Sequence, residues 1–116
     1  FKEGRVFMID YSAGHITNQE ARILIEDFAP TIAGRSFHLY PGVSYRNLLM
    51  WHGGPEGLAT VPPHDYTGMD VTNAWHIYEE EPLLYEVLTK AITFFHKHPV
   101  NEKRRQEGKR PANALW

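Results

Sequence analysis

Hydrophobic residues along the chain recur at two periods, and the change from one to the other marks the elements. Arg5 to Asp10 (RVFMID) is a short apolar run rich in β-formers, preceded by Gly4 and ending in a carboxylate, which predicts a buried strand. Tyr11-Ser12-Ala13-Gly14 carries turn chemistry. Thr17 with Glu20 three residues on is a capping box, in which each side chain satisfies the other residue's free backbone amide. Ala21, Leu24, Ile25 and Phe28 follow at helical spacing with Arg22, Glu26 and Asp27 outward, so a helix is expected to end near Pro30, with Gly34 closing the segment.

Ser36 to Tyr40 alternates and predicts a second strand, broken by Pro41-Gly42. Asn47 to His52 predicts a third, closed by Gly53-Gly54-Pro55, and the tight connection Val43-Ser44-Tyr45-Arg46 makes the two an antiparallel pair. Glu56 to Tyr78 shows no period and holds Gly57, Pro62, Pro63 and Gly68, so a long ordered loop is expected there. Three acids, Glu79 to Glu81, precede Pro82 and start a helix whose apolar face is Leu83, Leu84, Val87, Leu88, Ala91, Ile92 and Phe95; it ends at Pro99. Asn101 is expected to cap a short basic helix through Gln106, stopped by Gly108, and a last strand begins near Ala112. The order β-α-β-β-α-β is the ferredoxin-like pattern of the α/β (α+β) class: one four-stranded mixed or antiparallel sheet with two main helices on one face. Fold alone gives no function.

Size and charge narrow the classes. A chain of 116 residues is one domain, and 42% hydrophobic residues suffice for a core. A net charge of −2 gives no global basic face, so nucleic acid is not expected as a partner, and any anion site must be local. No apolar run reaches the roughly 20 residues of a membrane helix. There is no cysteine, which removes disulfides and thiolate metal sites and fits a reducing cytoplasm. The chain opens on Phe1, close to a strand, and closes on Ala114-Leu115-Trp116, which reads as the start of one; a segment of a longer protein is therefore expected.

Four constellations hold candidate chemistry. Asp10 stands at a strand end beside Tyr11, Ser12 and Gly14, where hydroxyls and backbone amides could meet a ligand; a turn in which Asp10 caps local amides accounts for the same spacing equally well. Arg46, between two strands, offers a rigid fork of donors for phosphate or carboxylate, against the alternative of a solvated hairpin arginine. Asn101, Arg104, Arg105, Lys109 and Arg110 are the one dense basic region, which could bind an anionic ligand or an acidic partner, and a solvated helix face is the simpler reading of it. His64-Asp65 follows Pro62-Pro63; sequence neighbours on an extended segment point apart, which favours a loop anchor over an acid–base pair. Seven histidines include no pair on adjacent helical turns, so no metal site is expected within the chain. There is no P-loop, no GxGxxG and no nucleophile elbow, and Trp51, Phe94 and Phe95 are expected in the core.

Four segments, in order, carry a resemblance: GRVFMIDYSAGHIT (Gly4 to Thr17), FHLYPGVSYRNLLMW (Phe37 to Trp51), PPHDYTG (Pro62 to Gly68) and HPVNEKRRQEGKRPANALW (His98 to Trp116). They resemble the archaeal-type cofactor-independent phosphoglycerate mutases of the alkaline phosphatase superfamily, and the last segment is the most specific. In that family a metal-binding core, with two divalent ions (Mn, Zn or Mg) and a transiently phosphorylated serine, is interrupted by a smaller domain that closes over it and holds the substrate. The resemblance implies that this chain is the inserted domain, that it binds a small phosphorylated acid, that its partner is the core domain of the same protein, and that it holds no catalytic residue and is inactive alone. An exposed, partly apolar face is expected where the core packs.

The resemblance implies substrate contacts at Asp10 and Arg46, with Tyr11, Ser12 and His15 in the same site, His64 and Asp65 on an adjoining loop, and Asn101 and Arg104 in the C-terminal motif, either contacting ligand or bracing the return strand. The archaeal enzymes tend to carry Asp-Arg-Arg-Ala-Gly-Arg where this chain has Asp10-Tyr11-Ser12-Ala13-Gly14-His15, and His-Arg where it has Tyr45-Arg46. Loss of three basic positions weakens the grip on a double anion. It brings the pattern closer to a bacterial branch proposed to phosphorylate homoserine, a substrate with an ammonium group, and Tyr11, Ser12 and His15 would suit a less acidic substrate. A third alternative is an independent ferredoxin-like small-molecule-binding module.

Overall fold

The structure, a computed structural model, describes residues 1–34 and 36–116. In chain order it runs β1 (Phe7–Met8), α1 (Asn18–Ile32), β2 (Phe37–Val43), β3 (Arg46–Trp51), a 3-10 turn (Pro63–Tyr66), β4 (Met69–Asp70), α2 (Thr72–Glu79), α3 (Pro82–Lys97) and α4 (Pro99–Gln106). The class is the expected α+β, and the arrangement is consistent with a ferredoxin-like one. The expected single sheet is not present among the described residues. The strands form two separate antiparallel pairs, β1 with β4 and β2 with β3.

The first helix forms as its sequence dictates. Glu20 N–H donates to Thr17 Oγ1 at 3.1 Å and Thr17 N–H to Glu20 Oε1 at 3.2 Å, completing the capping box. Ala21, Leu24, Ile25, Phe28 and Ile32 are buried on one face. Pro30 lies inside the last turn, where its missing amide removes one hydrogen bond without stopping the helix. α1 packs on β2 and α3, and Phe28, with no exposed surface, meets Phe95 of α3 at a ring distance of 5.5 Å.

β2 and β3 alternate as strands with one covered face must. Phe37 and Leu39 are buried opposite the half-buried Trp51 and Leu49, while His38, Tyr40, Leu48 and Met50 point outward and are exposed. Pro41-Gly42 does not end β2 as expected. The register shifts between Pro41 and Val43, and a bulge is one of the few places a sheet accepts proline. Gly42 is fitted to that bulge, since a Cβ there would collide with the Arg46 carbonyl.

Three further expectations are corrected. The first strand is shorter than Arg5 to Asp10 and is not buried, with Phe7 and Ile9 38% and 59% exposed; beyond it the Asp10 carboxylate accepts the Ser12 amide at 2.8 Å and turns the chain away from the extended path. The stretch 56–78 is not one loop: it contains the 3-10 turn, β4 and α2. Val71, Trp75 and Tyr78 are all buried, a one-sided spacing of four and three residues in a helix whose N-cap, Val71, makes no side-chain cap bond. The segment from Ala112 is not a strand. The Asn101 side chain donates to the Ala112 carbonyl at 2.7 Å and accepts its amide at 2.8 Å, taking both groups that a ladder would use.

α4 is capped by His98, not by Asn101: Val100 N–H donates to His98 Nδ1 at 3.1 Å, and His98 Nε2 lies 2.6 Å from Asp27 Oδ2 on α1. With Nδ1 accepting, the ring proton sits on Nε2 and donates to the carboxylate. Trp51 and Phe94 are half-buried at the edge of the core, and Phe95 is inside it. No helix is long and apolar enough to cross a membrane.

Candidate functional site

A cleft of about 1110 Å³ is lined by β1, β2, β3, α1 and the C-terminal segment, with an apolar lining that includes Leu24, Leu39 and Trp116. Its mouth is built by the loop after β1, the turn between β2 and β3, the 3-10 turn and the C-terminal segment from Arg110. Of the residues implicated from sequence, Asp10, Tyr11, Arg46 and His64 line the cleft. Tyr11 lies on the His64 ring at 4.1 Å and edge-on to Tyr45 at 5.3 Å. The Tyr45 hydroxyl and His64 Nε2 are 3.2 Å apart. The Arg46 guanidinium carbon sits 5.1 Å from the Tyr45 ring centre, a cation–π distance. Arg46 is exposed, and among the described residues it has no carboxylate partner.

The loop after β1 is held by its own acid. Asp10 Oδ1 accepts the Ser12 amide at 2.8 Å and the Ser12 hydroxyl at 2.6 Å; Oδ2 accepts the Gly14 amide at 2.8 Å and Arg110 Nη1 at 3.2 Å. Burial pushes the Asp10 carboxyl up, but the hydrogen bonds from Ser12, Gly14 and Arg110 outweigh it and hold the group well below the usual carboxylate range. Ser12 is buried and also accepts the His15 amide at 3.1 Å, so its hydroxyl faces inward, away from the cleft. His15 is exposed and does not line the cleft.

Beyond Ser12 the backbone turns left-handed. Ala13, Gly14 and His15 have φ of 50°, 65° and 55°, and the turn closes where Ile16 N–H meets the Ser12 carbonyl at 3.1 Å. Such a conformation disfavours L-residues by roughly 1–2 kcal/mol each. It is over-determined by Arg104, whose side chain is 2% exposed. Arg104 Nη2 donates to the carbonyls of Ala13 at 2.8 Å and Gly14 at 3.1 Å, Nη1 to Glu20 Oε1 at 2.8 Å, and Nε to the Arg110 carbonyl at 2.8 Å. One planar fork thus ties the loop, the first turn of α1 and the C-terminal segment together.

Asn101 and Arg104 therefore lie behind the mouth and line no part of the cleft. Asn101, 1% exposed, also donates to the Phe95 carbonyl at 2.9 Å. Asp65 is exposed beside His64, and among the described residues its carboxylate makes no hydrogen bond. Two mouth residues go unmarked as contacts by sequence. Tyr45 has only its adjacency to Arg46 as a signal. Arg110 is hidden in the basic run after Asn101, and nothing in that run predicts a pairing with Asp10 across 100 positions of sequence. Among the described residues no group of three His, Cys, Asp or Glu side chains could hold a metal ion.

Comparison with known proteins adds a direct line. Residues 1–101 match the family described as 2,3-bisphosphoglycerate-independent phosphoglycerate mutase. A protein of Geobacter sulfurreducens named probable 2,3-bisphosphoglycerate-independent phosphoglycerate mutase is 39% identical over 113 residues, covering 97% of this chain and 28% of that protein. The 2,3-bisphosphoglycerate-independent phosphoglycerate mutases of Methanosarcina barkeri and Pyrococcus furiosus are 41% and 32% identical, covering 92% and 91% of this chain and 27% of each relative. The chain thus spans little more than a quarter of the length of these relatives. No solved structure matches it at a significant level. The match across residues 1–101 and the identity along nearly the whole chain show that it belongs to the 2,3-bisphosphoglycerate-independent phosphoglycerate mutase family.

Proposed function

We propose that this chain is the substrate-binding domain of a phosphoglycerate mutase, and that its cleft receives a small phosphorylated acid with Arg46 as the first contact to the ligand's charge. The observation that carries the reading is Arg46 itself: an exposed guanidinium at the mouth of a cleft, braced by Tyr45 and free of any carboxylate among the described residues. Such a fork matches phosphate and carboxylate in geometry as well as charge.

Interconversion of 2- and 3-phosphoglycerate moves a phosphoryl group between two hydroxyls of one molecule. Much of the catalysis of such a transfer lies in positioning and in neutralising charge. On this reading the chain supplies both, by holding the carboxylate and phosphate ends of the acid, and the remainder of the longer protein supplies the nucleophile and the divalent ions. The domain alone then binds without turnover. The partner that covers it is that remainder, and the outer face of the β2–β3 pair is the surface offered: Tyr40, Leu48 and Met50 are 48%, 56% and 46% exposed.

Phosphorylation of homoserine is the second reading on sequence grounds, and the geometry does not favour it. Of the three residues that carry it, Ser12 is buried and His15 lies outside the cleft, and among the described residues the one acidic side chain of the cleft lining, Asp10, already accepts from two residues of its own loop and from Arg110. The test is a two-substrate assay on the complete protein with Mn²⁺ or Zn²⁺ supplied, measuring isomerisation of 3-phosphoglycerate against ATP-dependent phosphorylation of homoserine. Isomerisation that falls at least tenfold in kcat/KM with Arg46→Ala supports the reading. Homoserine phosphorylation without isomerisation sinks it.

A further inference from the structure

The charged side chains lining the cleft are Lys2, Asp10, Arg46 and Arg110, beside the titratable His64. Arg110 differs from the rest in how it is mounted. Its backbone is held through its carbonyl, which accepts Arg104 Nε at 2.8 Å, and it passes close to Gly14, where an added Cβ would come within 3.3 Å of its amide nitrogen. Its side chain, by contrast, is 61% exposed, and among the described residues its guanidinium makes a single hydrogen bond, 3.2 Å from Nη1 to Asp10 Oδ2.

Asp10 does not depend on that contact. It keeps three shorter hydrogen bonds, from the Ser12 amide, the Ser12 hydroxyl and the Gly14 amide. Those groups move with the loop, so the loop stays closed when Arg110 swings away. Arg110 stays positioned as well, because the buried Arg104 holds its main chain. An exposed ion pair of this kind contributes little to stability. The same guanidinium on a phosphate or carboxylate inside the cleft would form charge-assisted, potentially bidentate hydrogen bonds.

We propose that Arg110 is a second anion-binding arm of the cleft, parked on Asp10 in the free chain and transferred to the phosphate or carboxylate of the bound acid. This rests on the reading of the cleft as a site for a phosphorylated acid, and deepens it: Arg46 and Arg110 approach from the hairpin turn and from the C-terminal segment, and together they offer two forks to a ligand with two anionic ends. No proton or bond changes hands in the transfer. The carboxylate of Asp10 exchanges one donor for water while the guanidinium exchanges one acceptor for another.

The experiment is a titration of the complete protein with 3-phosphoglycerate and, separately, with inorganic phosphate, for the wild type, Arg110→Ala, Arg110→Lys and Lys109→Ala. Lys109 pairs with Glu107 and lies outside the cleft lining, so its loss controls for net charge. The expected result is affinity for 3-phosphoglycerate about tenfold weaker in Arg110→Ala, partly restored in Arg110→Lys, and within about twofold of wild type in Lys109→Ala, with the thermal midpoint of Arg110→Ala unchanged. Wild-type binding that Arg110→Ala leaves intact overturns the arm and spares the cleft. Failure of 3-phosphoglycerate to bind the wild type removes the reading of the substrate; inorganic phosphate held by wild type and lost in Arg110→Ala would still support the arm, and phosphate bound by neither overturns it.

Discussion

Gly14 and Arg104 fit each other with no space for another atom. Arg104 Nη2 donates to the Gly14 carbonyl at 3.1 Å, and a β-carbon on Gly14 would stand 2.9 Å from that same nitrogen. Gly14 also sits at φ 65°, where an L side chain is strained. Gly14→Ala is expected to destabilise the chain by about 2 kcal/mol or more, and Gly14→Val by more still. Urea denaturation checks this; an alanine variant as stable as wild type would mean that the loop relaxes freely and that Arg104 does not fix it.

Arg104 is the buried hub of the site, and its pairing with Glu20 is one strand of four. Arg104→Ala removes the donors to Ala13, Gly14, Glu20 and Arg110 at once and is expected to cost about 3 kcal/mol. Arg104→Lys should recover only a small part, since a point charge cannot reproduce a planar fork. The measurement is again unfolding free energy. Full rescue by lysine would reduce the contact to charge alone.

Asn101 makes a sharper test of hydrogen bonding against shape. Asn101→Asp keeps the volume but turns the donor that meets the Phe95 and Ala112 carbonyls into an acceptor. It should be at least as damaging as Asn101→Ala, with both near 2–3 kcal/mol. The readout besides stability is amide exchange at Ala112, whose N–H now donates to Asn101 Oδ1. Protection there should vanish in Asn101→Ala, which removes the Oδ1 acceptor, and be better retained in Asn101→Asp, whose carboxylate keeps it.

Left-handed backbone offers a prediction of opposite sign. His15 has φ 55° and an exposed side chain. His15→Gly removes the strain at the price of a looser unfolded chain, and the net expectation is a gain of about 0.5–1 kcal/mol. A thermal midpoint that falls would show that the imidazole makes a contact outweighing the strain.

Acid should loosen the mouth first. Burial raises the Glu20 carboxyl, but the hydrogen bonds from Arg104 and Thr17 outweigh it, so Glu20, like Asp10, is held below its ordinary value. A group depressed in the folded state contributes stability that is complete above its unfolded pKa and is lost as pH falls through the folded one. Both contributions are therefore intact above about pH 5 and fade as the pH drops below about 4. Glu20→Gln should flatten this acid limb, and thermal midpoints at pH 7, 4 and 3 would show it. An unchanged limb would assign acid sensitivity to other carboxylates, Asp70 among them, which the Thr72 and Arg5 hydrogen bonds bring down to about 2.

Local chemistry determined a good part of this protein from sequence alone. The capping box of Thr17 and Glu20, the apolar faces of α1 and, apart from Leu83, which is exposed, of α3, and the period of two in β2 and β3 each lie within a few residues of their cause, so the elements could be placed without the fold. The Asp10 turn and the mouth residues Tyr11, Arg46 and His64 were legible as well, though as separate clusters. The tertiary structure decided what these clusters do to one another. It paired Asp10 with Arg110, set the Tyr11 ring on His64, and buried Arg104 behind the loop. It also withheld the expected last strand, because the Asn101 side chain takes the hydrogen bonds of Ala112 that such a strand would have used. The physical reason is common to all of these: hydrogen-bond satisfaction in the interior is settled between residues up to 100 positions apart, and no local period records it.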